Sequence, residues 1–95
     1  MNIYEIVSGP TQDQLFDCLR NWRQGRCENF WLRKKGSRIV LPATVVGINV
    51  LSFEDPSNNK WHIKLFDEAG RLGSRLLDGY YDSAKHTGNV QPLRS

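Results

Sequence analysis

At 95 residues, 39% of them hydrophobic and 24% charged, the chain is one folding unit with enough apolar material for a modest core. That balance excludes wholesale disorder, and no apolar run reaches the ~18–20 residues a membrane-crossing helix needs. The formal net charge of +3 is small, so where the charge sits matters more than how much there is.

The opening MNIYEIVSGP has neither a basic region nor a true apolar segment, so no export signal and a cytoplasmic address are expected. Residues 2–7, NIYEIV, read as a first strand with Ile3 and Val7 as its apolar positions, ended by Ser8-Gly9-Pro10. A helix follows. Thr11 is placed to cap it, Gln14 to answer the cap three residues later, and Asp13 to meet the positive end of the dipole. Leu15, Cys18, Leu19 and Trp22 fall at i, i+3, i+4 and i+7, one apolar stripe, and Gln24-Gly25 is the expected stop. Cys18 and Cys27 lack the spacing of a CxxC redox or zinc motif. In a reducing compartment they read as a core thiol and a loop thiol.

Beyond the helix the period changes to two. ENFWLRKK sets Phe30 and Leu32 on one side and Trp31, Arg33 and Lys35 on the other, with Gly36-Ser37 as a turn. RIVLP resumes a strand that Pro42 bends or confines to an edge. TVVGINVLSF is β-branched and long, with Gly47 suited to a bulge. After the 55–59 loop, KWHIKLF alternates plainly: Trp61, Ile63 and Leu65 inward, Lys60, His62 and Lys64 outward. RLGSRLLDGYYDSA fits a short helix, a last strand or irregular structure, and from Lys85 onward there is little to bury. The expected fold is α+β. A single domain over 1–84 packs its one N-terminal helix on an antiparallel sheet of about four to five strands, and 85–95 forms a frayed tail.

Function is sought in residues 20–38, RNWRQGRCENFWLRKKGSR. Arg20, Arg23, Arg26, Arg33, Lys34, Lys35 and Arg38 stand there against Glu28 alone, so the rest of the chain is net negative. Arg20 and Arg23 complement the end of the helix dipole, which is a structural reason for those two. Trp31, Arg33 and Lys35 on a free sheet face, extended by Lys60, His62 and Lys64, would offer an aromatic platform among cations. Single-stranded nucleic acid needs such a platform, and protein interfaces also favour it. A protein-interaction, inhibitory or regulatory role, including self-association, ranks above nucleic-acid or polyanion binding. A small-ligand binder or enzyme whose site forms only in three dimensions comes third. The expected binding set is Arg23, Arg26, Trp31, Arg33, Lys34, Lys35, Arg38, Lys60, His62 and Lys64. No catalytic residues, metal site, cofactor or membrane partner are expected. The paired acids Glu54-Asp55 and Asp67-Glu68 lie at turns, His62 stands alone between lysines, and no nucleophile has an identifiable base.

Overall fold

The computed structural model describes residues 3–21, 30–50, 59–67 and 76–93. Their elements are β1 (Tyr4–Ser8), α1 (Gln12–Arg20), β2 (Phe30–Lys34), β3 (Val40–Val50), β4 (Lys60–Asp67), β5 (Leu76–Asp82) and β6 (Thr87–Pro92). Each strand pairs antiparallel with the next, and β6 returns to pair with β1, so the sheet closes into a six-stranded barrel. This overturns the α+β expectation of a helix laid on one face of an open sheet. The missing strand lies in the segment expected to fray. The composition of KHTGNVQP hid it, for in TGNVQP only Val90 is deeply buried. Pairing Tyr4, Glu5 and Ile6 with Val90, Asn89 and Gly88 removes both sheet edges, whose unpaired backbone groups an open sheet would expose.

The alternation of side chains sends one set into the barrel and the other to its outer wall. Phe30 and Leu32 of β2, and Trp61, Ile63 and Leu65 of β4, are buried as the sequence pattern requires. In β1 the parity is the reverse of that expected. Tyr4 and Ile6 enter the core, while Ile3 and Val7 are half-buried. The barrel is too narrow for large residues at every inward position, so large and absent side chains face each other. Tyr81 lies opposite Gly88, Val90 opposite Gly79, and the Phe30 and Tyr81 rings meet edge to face with centroids 4.8 Å apart.

Helix α1 starts as its sequence dictates. The Thr11 side chain accepts from the Gln14 backbone N–H at 3.2 Å, and the Gln14 side chain accepts from the Thr11 N–H at 2.8 Å. It ends at Arg20 with Asn21 as its cap, earlier than Gln24-Gly25, which lie outside the described residues. Leu15 and Cys18 join the core and Phe16 packs edge-on against Trp61, so α1 closes one end of the barrel and does not cover a sheet face. Cys18 is disulfide-bonded, which corrects the expectation of a free core thiol; the chain's other cysteine, Cys27, lies outside the described residues.

Irregularities stand where the sequence marks them. Pro42, which has no N–H to give, pairs with Trp31 of β2, while the β4 ladder begins only at Ala43. The register of β3 against β4 slips between Val45 and Gly47, the bulge expected at that glycine. In the β2–β3 hairpin the Ser37 N–H donates to the Lys34 carbonyl at 2.9 Å, with Gly36 at φ +87°, the left-handed position a type II turn needs.

Polar groups fasten the helix end. The Ser83 hydroxyl accepts from the Trp61 indole at 3.2 Å and lies within reach of the Gln12 side chain at 3.0 Å and the Asn59 carbonyl at 3.2 Å. The Tyr81 hydroxyl donates to the Pro10 carbonyl at 2.6 Å. Burial, aided by the neighbouring Asp82 carboxylate, pushes that phenol well above its usual range near 10. The native state therefore holds the proton more tightly than the unfolded chain does. Stability from this group is complete below pH ~10 and falls as pH rises beyond it. Chemical denaturation between pH 8 and 11 is expected to show this decline in wild type and a shallower one in Tyr81→Phe, which starts less stable for want of the Pro10 bond.

Candidate functional site

Closure of the barrel decides which expected site residues can act together. Trp31 and Arg33 do project from the outer wall of β2, Trp31 at 42% exposure, as the alternation of ENFWLRKK requires. Lys34, Lys35 and Arg38 stand exposed at the hairpin that follows, at the barrel end opposite α1. Lys60, His62 and Lys64 project outward from β4. They do not extend the Trp31 surface. On β3, Trp31 faces Pro42 and Lys64 faces Gly47, five residues further on, or about 16 Å along the strand. In the other direction around the wall β1, β6 and β5 intervene. The single cationic face is thus two separate groups. Arg23 and Arg26 lie outside the described residues.

The hairpin group has the simpler electrostatics. Arg33 is bonded to Glu5 at 2.8 Å, a partly exposed pair that fixes the guanidinium and adds little to stability. Among the described residues Lys34, Lys35 and Arg38 meet no carboxylate. Beside them are apolar side chains that the core does not take up. Ile39 is 63% exposed, Val40 stands opposite Arg33, and Trp31 stands opposite Pro42. Lysines on a strand often serve to repel edge-to-edge pairing, but this sheet has no edge to guard.

On β4, His62 is not a solitary surface histidine. Its Nε2 lies 2.7 Å from the Asp78 carboxylate, and its ring tilts against that of Tyr80, with centroids 5.3 Å apart. Tyr80 is itself 58% exposed while its neighbour Tyr81 is buried, so the two tyrosines take opposite sides of one strand. From sequence the two tyrosines are taken together, packing is favoured over an exposed patch and Tyr80 is left out of the binding set, although the period-two rule applied to YYD places one ring outside.

Tyr80 also forms a wall of an open groove of about 970 Å³ above β6. The groove arises because β6 carries small residues here, Thr87, Gly88 and Asn89, between taller side chains on β5 and β1. It runs along the seam where β1 and β6 pair from Tyr4 and Val90 as far as Ile6 and Gly88, beside the point where β1 shifts register against β2 between Ile6 and Ser8. Arg33 and Lys60, members of the two separated cationic groups, both reach it. Lys85 joins them from the 83–86 turn. That turn is pinned by Asp82, which accepts from the Ala84 N–H at 2.9 Å, and by His86, whose Nδ1 donates to the Gly9 carbonyl at 3.0 Å.

Among the described residues no group of three or more His, Cys, Asp or Glu side chains could hold a metal ion, and no helix is long and apolar enough to cross a membrane. Compared with family models, with curated proteins and with solved structures, the chain matches none.

Proposed function

We propose that this protein is a non-catalytic binding module whose working surface is the β2–β3 hairpin and the outer wall of β2, and whose partner is a protein with an acidic surface. The observation that carries this reading is the conjunction of Lys34, Lys35 and Arg38, without anionic partners among the described residues, with the exposed Trp31, Ile39 and Val40. Tryptophan and arginine are favoured anchors of protein interfaces, and cations at the rim speed the approach of an acidic partner. Self-association through this surface is disfavoured, because a twofold contact brings the cationic patches of the two copies together. Nucleic acid shares the charge requirement and is the competing reading. Panning a displayed random peptide library against the immobilised protein tests the choice. Acidic sequences with an apolar centre are expected to enrich, and to be lost on a Lys34→Glu, Lys35→Glu, Arg38→Glu variant. Equal enrichment on the variant sinks the proposal. Labelled single-stranded DNA that binds the wild-type hairpin with steep salt dependence replaces it with the nucleic-acid reading.

A cytoplasmic address and the Cys18 bond pull in opposite directions, since cytosolic thiols are kept reduced. Titration of denatured protein prepared without reductant is expected to find no free thiol; a full complement of thiols supports the cytoplasmic address.

A further inference from the structure

The groove above β6 differs from the hairpin in its charge. Arg33 and Lys85 bring hydrogen-bond donors, Glu5 and Asp82 bring acceptors, and Asn89 brings both. With Lys60 added, the cations exceed the carboxylates by only one. A polyanion calls for cations in clear excess. An apolar ligand calls for a lining in which polar groups are few. A neutral polyhydroxylated ring calls for a flat aromatic surface against its C–H face and, at its edge, side chains that both give and take hydrogen bonds.

The groove supplies each of these. The register sets Glu5, Asn89 and Tyr80 in one row across β1, β6 and β5, with Arg33 bonded to Glu5 at the end of the row. The Tyr80 ring is exposed yet braced from behind, because His62 lies against it and the Asp78 carboxylate holds His62 at 2.7 Å. Bracing of this kind keeps a binding ring in place before the ligand arrives, which lowers the entropy lost on binding.

We propose that this groove binds a neutral oligosaccharide, with the Tyr80 ring against one pyranose face and Asn89 and the Arg33–Glu5 pair bonded to its hydroxyls. His62 and Asp78 are positioning residues that act through Tyr80. The site shares Arg33 with the outer wall of β2 but uses none of the hairpin cations Lys34, Lys35 and Arg38.

Titration of the ¹⁵N-labelled full chain with cellohexaose, chitohexaose, maltohexaose and mannohexaose, each to millimolar concentration, tests the proposal. At least one of them is expected to shift the Gly88 and Asn89 amides saturably. Tyr80→Ala, its fold checked by the dispersion of the same spectrum, is expected to weaken that binding about tenfold. Asn89→Ala, an exposed position, is the second variant and is expected to weaken it as well. Silence of both amides throughout the panel overturns the proposal, as does saccharide binding that is unchanged in Tyr80→Ala. Shifts of the same amides by inorganic phosphate or an oligothymidylate, without any by a saccharide, overturn it in favour of an anion site.

Discussion

Gly79→Ala is expected to cost at least about 3 kcal/mol, the upper end of what overpacking a core costs, or to prevent folding altogether. A Cβ at Gly79 would overlap the Asn89 carbonyl oxygen and lie 2.7 Å from the Val90 Cα. Both obstacles are backbone of β6, the strand that closes the barrel, so they can yield only if β5 and β6 part. Gly47→Ala is the control. There the nearest atoms are on the flexible Lys64 side chain at 3.9 Å, an ordinary contact, and the expected change lies within about 0.5 kcal/mol. Urea denaturation followed by circular dichroism measures both. Equal midpoints for the two variants would mean that β5 and β6 do not approach as described.

Trp61→Ala is expected to cost about 3–5 kcal/mol, whereas Trp31→Ala changes stability by no more than about 0.5. The two tryptophans have the same chemistry and opposite surroundings. Trp61 is 1% exposed, packs against Phe16 and donates its indole N–H to Ser83. Its loss leaves a large cavity at the helix end of the barrel and takes a donor from the Ser83 hydroxyl. Trp31 stands on the outer wall, where its cross-strand partners are Ser8 and Pro42. Comparable losses from both substitutions would show that the inside and outside of the wall have been assigned wrongly.

Much of this was legible in the chain, and the misses have physical causes. The capping box at Thr11, the Gly47 bulge, the Gly36 turn and the parity of β2 and β4 follow from local rules, since each depends on residues within one turn or one strand. Closure depends on a pairing between the two ends of the chain, and β6 gives almost no local sign of it. Its inward positions include Gly88, whose task is to leave room for Tyr81, and a glycine cannot advertise an apolar face. The parity of β1 was misread for a similar reason. Tyr4 counted as less apolar than Ile3, yet the barrel end accepts its ring.

The site was legible in part, again for reasons of range. That Trp31 and Arg33 point outward is a local matter. That Lys60, His62 and Lys64 stand apart from them follows from the register of β3, and that Arg33 and Lys60 share a groove follows from closure. That Asn89 and Lys85 stand beside Tyr80 follows only from the placing of β6 between β5 and β1.

Whether the hairpin acts apart from β4 can be measured directly by titrating an octaglutamate peptide into ¹⁵N-labelled protein at low salt. Shifts of the Trp31, Lys35 and Ile39 amides, with those of His62 and Lys64 unmoved, are the expected result. Shifts that rise together at both groups, or that centre on His62 and Lys64, would contradict a working surface confined to the hairpin.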